Sequence, residues 1–198
     1  MALDYKLNWE RSIITFLAVA SLLVGPWLSL SASGGSIDYK IFSVVASSSS
    51  GLEDMKFSYP EMVLRYQEGN EKGLETVLAT ELAKYMRIFQ AWAFVTIGLF
   101  AFSAFIENQK KLYLAAGGSL LLMAFAFLLV AYHVTSSLGL ADSIQDLIFG
   151  KAIKVKVVFA RAYLTLQIGW SWIMAIIAGT LQTLYGWKYR YWKLVAWR

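Results

Sequence analysis

One histidine, His133, and no cysteine bound the chemistry open to this chain. An imidazole beside Tyr132, with no Cys or carboxylate adjacent, is a poor metal site, because a bound zinc takes three or four protein ligands. An interfacial hydrogen bond is the expected role of His133, with a haem or quinone contact as the lesser alternative. Glu71, Glu75 and Glu81 place carboxylates on one helix face. Their spacing matches no calcium loop and no His lies near them in sequence, so they read as the solvated side of that helix. The sequence has no Gly-rich phosphate loop, no HExxH zinc motif and no G-x-S-x-G nucleophile elbow. No catalytic residue, metal or cofactor is therefore expected, and the chain reads as non-enzymatic.

The cationic clusters suit surfaces better than reactions. Near the C-terminus, Trp187, Lys188, Tyr189, Arg190, Trp192, Lys193 and Trp197 interleave rings with charges directly after an apolar run. Rings and snorkelling cations of this kind settle at the headgroup boundary of a bilayer. A nucleic-acid stacking surface uses the same residue types, but the adjacent apolar run holds these at the lipid interface, and no nucleic-acid partner is expected. The net charge of +5 is read the same way, as membrane topology. Lys154 and Lys156 alternate with Ile153, Val155 and Val157, the pattern of a half-buried strand with lysines toward water. Such lysines discourage edge-to-edge aggregation, and they also offer a contact for an acidic partner.

The elements that must position these residues are long and apolar. Segments 13–30, 88–106, 112–134 and 164–185 contain no Asp, Glu, Lys or Arg. A helix needs roughly 20 apolar residues to cross a hydrocarbon core of about 30 Å, and backbone groups in lipid must be paired within the segment. The expected class is an all-α membrane protein, a four-transmembrane-helix bundle with a small extracellular α/β loop domain. Segment 13–30 also resembles a secretory signal, since Lys6 and Arg11 precede it and small residues follow. Its length and its Pro26-Trp27 step favour a retained anchor.

Residues 1–12, the turn 107–111 and the tail 186–198 share one side and carry Lys6, Arg11, Lys110, Lys111, Lys188, Arg190, Lys193 and Arg198. The positive-inside bias then places both termini in the cytoplasm of a multi-pass cell-membrane protein. Polar residues within the spans, among them Gln90, Thr96, Ser103, Ser119, Gln167, Ser171 and Thr180, are expected to link helices. Ser21 with Gly25, and Ala115 with Ser119, supply small-residue spacing for close approach. The absence of Cys and the sparse Asn, at positions 8, 70 and 108, fit a hot-environment composition. An archaeal source is the expectation from it.

The outer loops, 31–87 and 135–163, carry pattern of their own. Residues 37–45 alternate as a strand, and 47–51 read as a turn. Ser58 followed by Glu61 is a capping box, with Pro60 in the first turn of a helix containing Met62, Leu64 and Tyr66 and breaking at Gly69-Asn70. From Lys72 onward, Leu74, Leu78, Leu82 and Tyr85 form one apolar stripe that continues into the second span. Asp142 is the expected cap of a short helix through Ile144, Leu147 and Ile148.

This order of elements, with Gly25-Pro26-Trp27-Leu28-Ser29 at the outer end of the first span, resembles the claudin and peripheral-myelin-protein tetraspan group. The first outer loop departs from that group: it lacks the family's Trp, Gly-Leu-Trp and two cysteines. The resemblance implies a left-handed four-helix bundle under one small sheet that joins 37–45 with 153–159. It leaves activity open.

Function is accordingly sought between the spans. The expected role is adhesion, scaffolding or membrane assembly, with the lipid bilayer and either copies of the chain or other membrane-protein subunits as partners. The expected contact surface is Ile41, Phe42, Met55, Phe57 and Tyr59, with Lys154 and Lys156. The alternative is an accessory subunit of a respiratory or other redox complex, holding quinone or lipid between helices lined by Trp92, Trp170 and Trp172. A transporter or channel ranks third, because ionisable residues are missing from the spans.

Overall fold

The computed structural model describes residues 9–32, 35–48, 55–67, 74–105, 110–157 and 160–195. In chain order these form α1 (Trp9–Leu23), β1 (Leu28–Ala32), β2 (Gly35–Tyr39), β3 (Val44–Ser48), β4 (Met55–Phe57), α2 (Tyr59–Gln67), α3 (Leu74–Phe105), α4 (Lys110–Ser137), α5 (Ile144–Phe149), β5 (Lys151–Val157), β6 (Ala160–Ile168) and α6 (Trp170–Val195). α4 packs on α3 and α6, and α1 packs on the same two helices. Small residues allow the closest of these contacts: Ala116, Ala124, Ala175 and Ala178 are fully buried, and a Cβ on Gly179 would lie 3.1 Å from the Gly117 carbonyl oxygen. Ala115, expected in such a contact, is exposed instead, so the close-packing face is turned toward Gly117.

All the strands form a single antiparallel sheet in the order β4-β3-β2-β1-β6-β5. β1 pairs β2 on one side, with Leu28 opposite Tyr39, and β6 on the other, with Leu28 opposite Ile168 and Leu30 opposite Leu166. Side-chain alternation gives this sheet one apolar face. Leu28, Leu30, Tyr39, Val44, Leu166 and Ile168 are buried in the core shared with the helices. On the opposite face, Ser29 Oγ donates to Asp38 Oδ1 at 2.7 Å, and Gln167 is exposed.

The expected all-α bundle of four transmembrane helices is overturned. The structure contains a six-stranded sheet, and among the described residues only two helices, α3 and α4, are long and apolar enough to cross a membrane. The reason lies in the other two apolar runs, which change conformation partway. Run 13–30 leaves its helix after Leu23 and ends in β1, so α1 has 15 residues and is about 22 Å long. Run 164–185 begins as the end of β6 and turns helical only at Trp170. α6 then mixes its apolar residues with Ser171, Thr180, Gln182 and Thr183 before reaching Lys188. Central strands buried in a core are as apolar as membrane helices, so hydropathy alone joined them.

Smaller corrections follow the same logic. Segment 37–45 is two strands rather than one, folded back at residues 40–43, where Lys40 N donates to Ser43 O at 2.8 Å. Ser47 and Ser48 belong to β3, while 49–51 lie outside the described residues. Ser143 rather than Asp142 caps α5, because its hydroxyl accepts from Asp146 N while the Asp146 carboxylate accepts from Ser143 N. The stripe from Leu74 does continue into one helix of 32 residues. Strand positions 37–39, 44–45 and 153–157 share the one sheet.

The tightest packing occurs where helix becomes strand. A Cβ on Gly169 would lie 2.1 Å from the Pro26 carbonyl oxygen, whereas one on Gly118 would meet nothing within 4 Å. Gly169→Ala is therefore expected to lower stability by about 2–4 kcal/mol, and Gly118→Ala to stay within about 0.5 kcal/mol of wild type or gain slightly. Thermal unfolding in mild detergent, followed by circular dichroism, checks both.

Candidate functional site

The region with the most polar detail lies where α2, α3 and the 40–43 turn meet. Ser58 N donates to Glu61 Oε2 at 2.6 Å, and Glu61 N donates to Ser58 Oγ at 3.4 Å. This capping box starts α2 with Pro60 in its first turn, where the missing N–H costs nothing. Tyr59 is thereby turned inward, 3% exposed, and its hydroxyl donates to Lys40 O at 2.7 Å. From the other side Gln90 Nε2 donates to Ile41 O at 3.1 Å. The turn's carbonyls are thus satisfied by side chains of two helices rather than by a strand partner.

These bonds decide which expected contact residues are available. Ile41 is fully buried and Tyr59 nearly so, which removes both from the contact surface. Phe42 is half-buried and meets Phe94 edge to face at 5.2 Å, and Phe57 also packs on the core. Met55, on the short strand at one edge of the sheet, stays 61% exposed. Lys154 and Lys156 belong to β5 at the opposite edge. Sequence reading passed over Phe149, the last residue of α5, which is 83% exposed beside Ile148 at 41%. The signal was present, since an apolar pair at the end of a two-turn helix extends beyond the stripe that Ile144 and Leu147 bury.

Between α2 and α3 runs a groove of about 660 Å³. Pro60, Val63 and Leu64 form one wall, and Thr80, Ala83, Lys84, Arg87 and Gln90 the other. Spacings of three and four keep each set on one helix face. Lys84 forms an ion pair with Glu81, which accounts for one carboxylate of the expected solvated face. Glu71 lies outside the described residues. No group of three His, Asp or Glu residues suited to a metal occurs among the described residues. His133 is exposed, and beside it Tyr132 Oη donates to Asp142 O at 3.3 Å.

At the far end of the helices lies Arg11, one of the basic residues that carry the topology signal. It is 2% exposed, with its guanidinium carbon 5.6 Å from the Tyr113 ring centre and 5.9 Å from that of Tyr185. Its spacing to Ile14, Ala18 and Leu22, all buried, puts it on the inward face of α1. That spacing could have revealed it. Next to it α1 and α6 enclose a largely apolar groove of about 630 Å³ that includes Ile13, Leu184 and Trp187. Up to Val195 the basic aromatic tail is helical: Trp187, Lys188, Tyr189, Arg190, Trp192 and Lys193 continue α6. Trp187 is 60% exposed, and Trp197 lies outside the described residues.

Of the three tryptophans expected to line a quinone or lipid site, two are held by hydrogen bonds. Trp92 Nε1 donates to Ser119 Oγ at 2.9 Å, and Trp172 Nε1 to Ala124 O at 2.7 Å. Both tie neighbouring helices to α4, while Trp170 is 52% exposed. Neither groove is lined by any of the three. Comparison with known proteins finds no matching family model and no match to a curated protein.

Burial pushes the Tyr59 phenol well above its ordinary range. The neutral phenol is the folded form, so its stabilisation is complete below about pH 10 and is lost as pH rises beyond it. Tyr59→Phe is expected to cost about 1 kcal/mol at neutral pH and to reduce the loss of thermal stability between about pH 8 and about pH 11. Paired melts of wild type and variant at the two pH values read both effects.

Proposed function

We propose that this is a non-enzymatic membrane protein whose sheet-bearing cap makes protein contacts, with copies of itself or with other membrane subunits. The observation that carries the reading is the distribution of exposed apolar side chains. On α3 and α4, the helices long enough to cross a bilayer, Ile88, Phe94, Phe102, Leu122 and Leu129 are each more than 60% exposed or close to it, at 66%, 65%, 62%, 63% and 60%. Lipid is the environment that such a surface suits. Phe16 on α1 and Ile173 on α6 add to the same apolar layer. Away from that layer Met55 and Phe149 remain exposed on the cap, where a protein partner would cover them.

Charge and contact together support one orientation. Arg11 of α1 and Tyr185 of α6 meet Tyr113 near the start of α4, so these ends lie with Lys110 and Lys111 on one side. The positive-inside bias favours that side as the cytoplasmic one, with the cap external.

The cysteine-free sequence permits single-site labelling. In intact cells Phe149→Cys is expected to react with a membrane-impermeant maleimide and Lys111→Cys only after lysis; the reverse pattern would overturn the orientation. Met55→Ser with Phe149→Ser is expected to lower the mass of the assembly in mild detergent while leaving the melt unchanged. An unaltered assembly would remove these two residues from the contact.

A further inference from the structure

Arg87 is the last charged residue on α3 before a stretch without Asp, Glu, Lys or Arg that runs to Phe105. The residue after it, Ile88, is 66% exposed, and Phe94 and Val95 continue the exposed apolar surface at 65% and 61%. The α2–α3 groove therefore opens at the level where the apolar outer surface of α3 gives way to charge. Its two cations differ. Lys84 is already matched by Glu81, whereas Arg87 is exposed and has no ion pair or hydrogen bond from its side chain among the described residues. Val63 and Leu64 supply an apolar wall beside it, Leu64 being 54% exposed.

A ligand for this groove must carry negative charge at one end and hydrocarbon at the other. We propose that the groove binds an anionic phospholipid of the surrounding bilayer, with the Arg87 guanidinium holding the headgroup phosphate, Lys84 as a second donor, and the first acyl carbons against Val63 and Leu64. The planar fork of Arg matches two phosphate oxygens at once, and cations at a membrane surface attract anionic lipid. A free anion would use the arginine but leave the apolar wall wet. A neutral lipid would fill the wall but leave the charge unmatched. The proposal rests on the membrane reading above.

The test uses the full chain in mild detergent, with native mass spectrometry after adding dioleoyl phosphatidylglycerol or dioleoyl phosphatidylcholine. Wild type is expected to retain phosphatidylglycerol in preference. Arg87→Gln should weaken that retention roughly tenfold or more, and Arg87→Lys should restore part of it. Lys111→Gln, at the other end of the α3–α4 hairpin, should leave it unchanged. Equal retention of the two lipids by wild type, undiminished retention by Arg87→Gln, or displacement by excess inorganic phosphate would each overturn the site. A carbonate wash of membranes separates this from the reading beneath it. Protein that pellets without lipid preference overturns the lipid site alone, and protein that washes off overturns both.

Discussion

The structure depends on one crowded junction, where α1 and α6 hand over to the two central strands. Gly169 N donates to Trp27 O at 3.0 Å and Ser171 N to Pro26 O at 3.2 Å, so the two crossings are tied backbone to backbone. Trp27 N reaches Tyr39 O at 2.9 Å and draws β2 into the same point. No side chain larger than hydrogen fits at Gly25 or Gly169: a Cβ on Gly25 would fall 1.8 Å from Ser171 Oγ, and one on Gly169 2.1 Å from Pro26 O. The Trp27 ring fills the space beneath, fully buried, 5.1 Å from Phe127 and edge to face with it. Its indole N–H donates to Ser21 O at 2.7 Å, satisfying one of the carbonyls that the end of α1 leaves open. A single residue thus closes a helix, roofs the helical core and starts the sheet.

Below that junction short polar links join the helices. Ser119 bonds both Trp92 and Thr96, and Gln182 Nε2 donates to Ser103 Oγ at 2.9 Å within a fully buried pair. In an apolar surrounding each such bond spares a polar group from being left unmatched, and helix pairs held this way need little area. Arg11 is a buried cation faced by the rings of Tyr113 and Tyr185. Ring faces are weakly hydrated partners for guanidinium, so aromatic surface helps accommodate this charge within the helical layer.

How much of this could be read from the sequence depended on whether the signal was local. The Ser58–Glu61 box, the stripe Leu74, Leu78, Leu82, Tyr85 and the alternation of residues 153–157 each specify an element through contacts a few residues apart, and each stands in the structure. The apolar runs 13–30 and 164–185 failed because their strand portions are defined by each other: Leu28 to Ala32 become β1 by pairing Leu164 to Ile168, more than a hundred residues away. Nothing inside either run marks that change except Gly25-Pro26 and Gly169. The candidate site divides similarly. Arg87 and Lys84 lie on a legible helix face, but the groove exists only because α2 packs beside them. Ile41 and Tyr59 were misplaced for the converse reason, since the bonds that bury them come from distant partners.

The same bonds bind the groove to the edge strand above it. α2 follows β4 after the single residue Ser58, so the wall formed by Val63 and Leu64 is set by the strand that carries Met55. The 40–43 turn, held by Tyr59 from α2 and by Gln90 from α3, fixes the spacing of the two walls against β2 and β3. A molecule that spread α2 from α3 would strain the bond at Lys40 or the one at Ile41, and the edge strand would move with it. The groove and the sheet edge are therefore joined through one set of hydrogen bonds. The helices are thus tied to the sheet at two places, backbone to backbone at the Trp27 junction and through the Tyr59 and Gln90 side chains at the 40–43 turn.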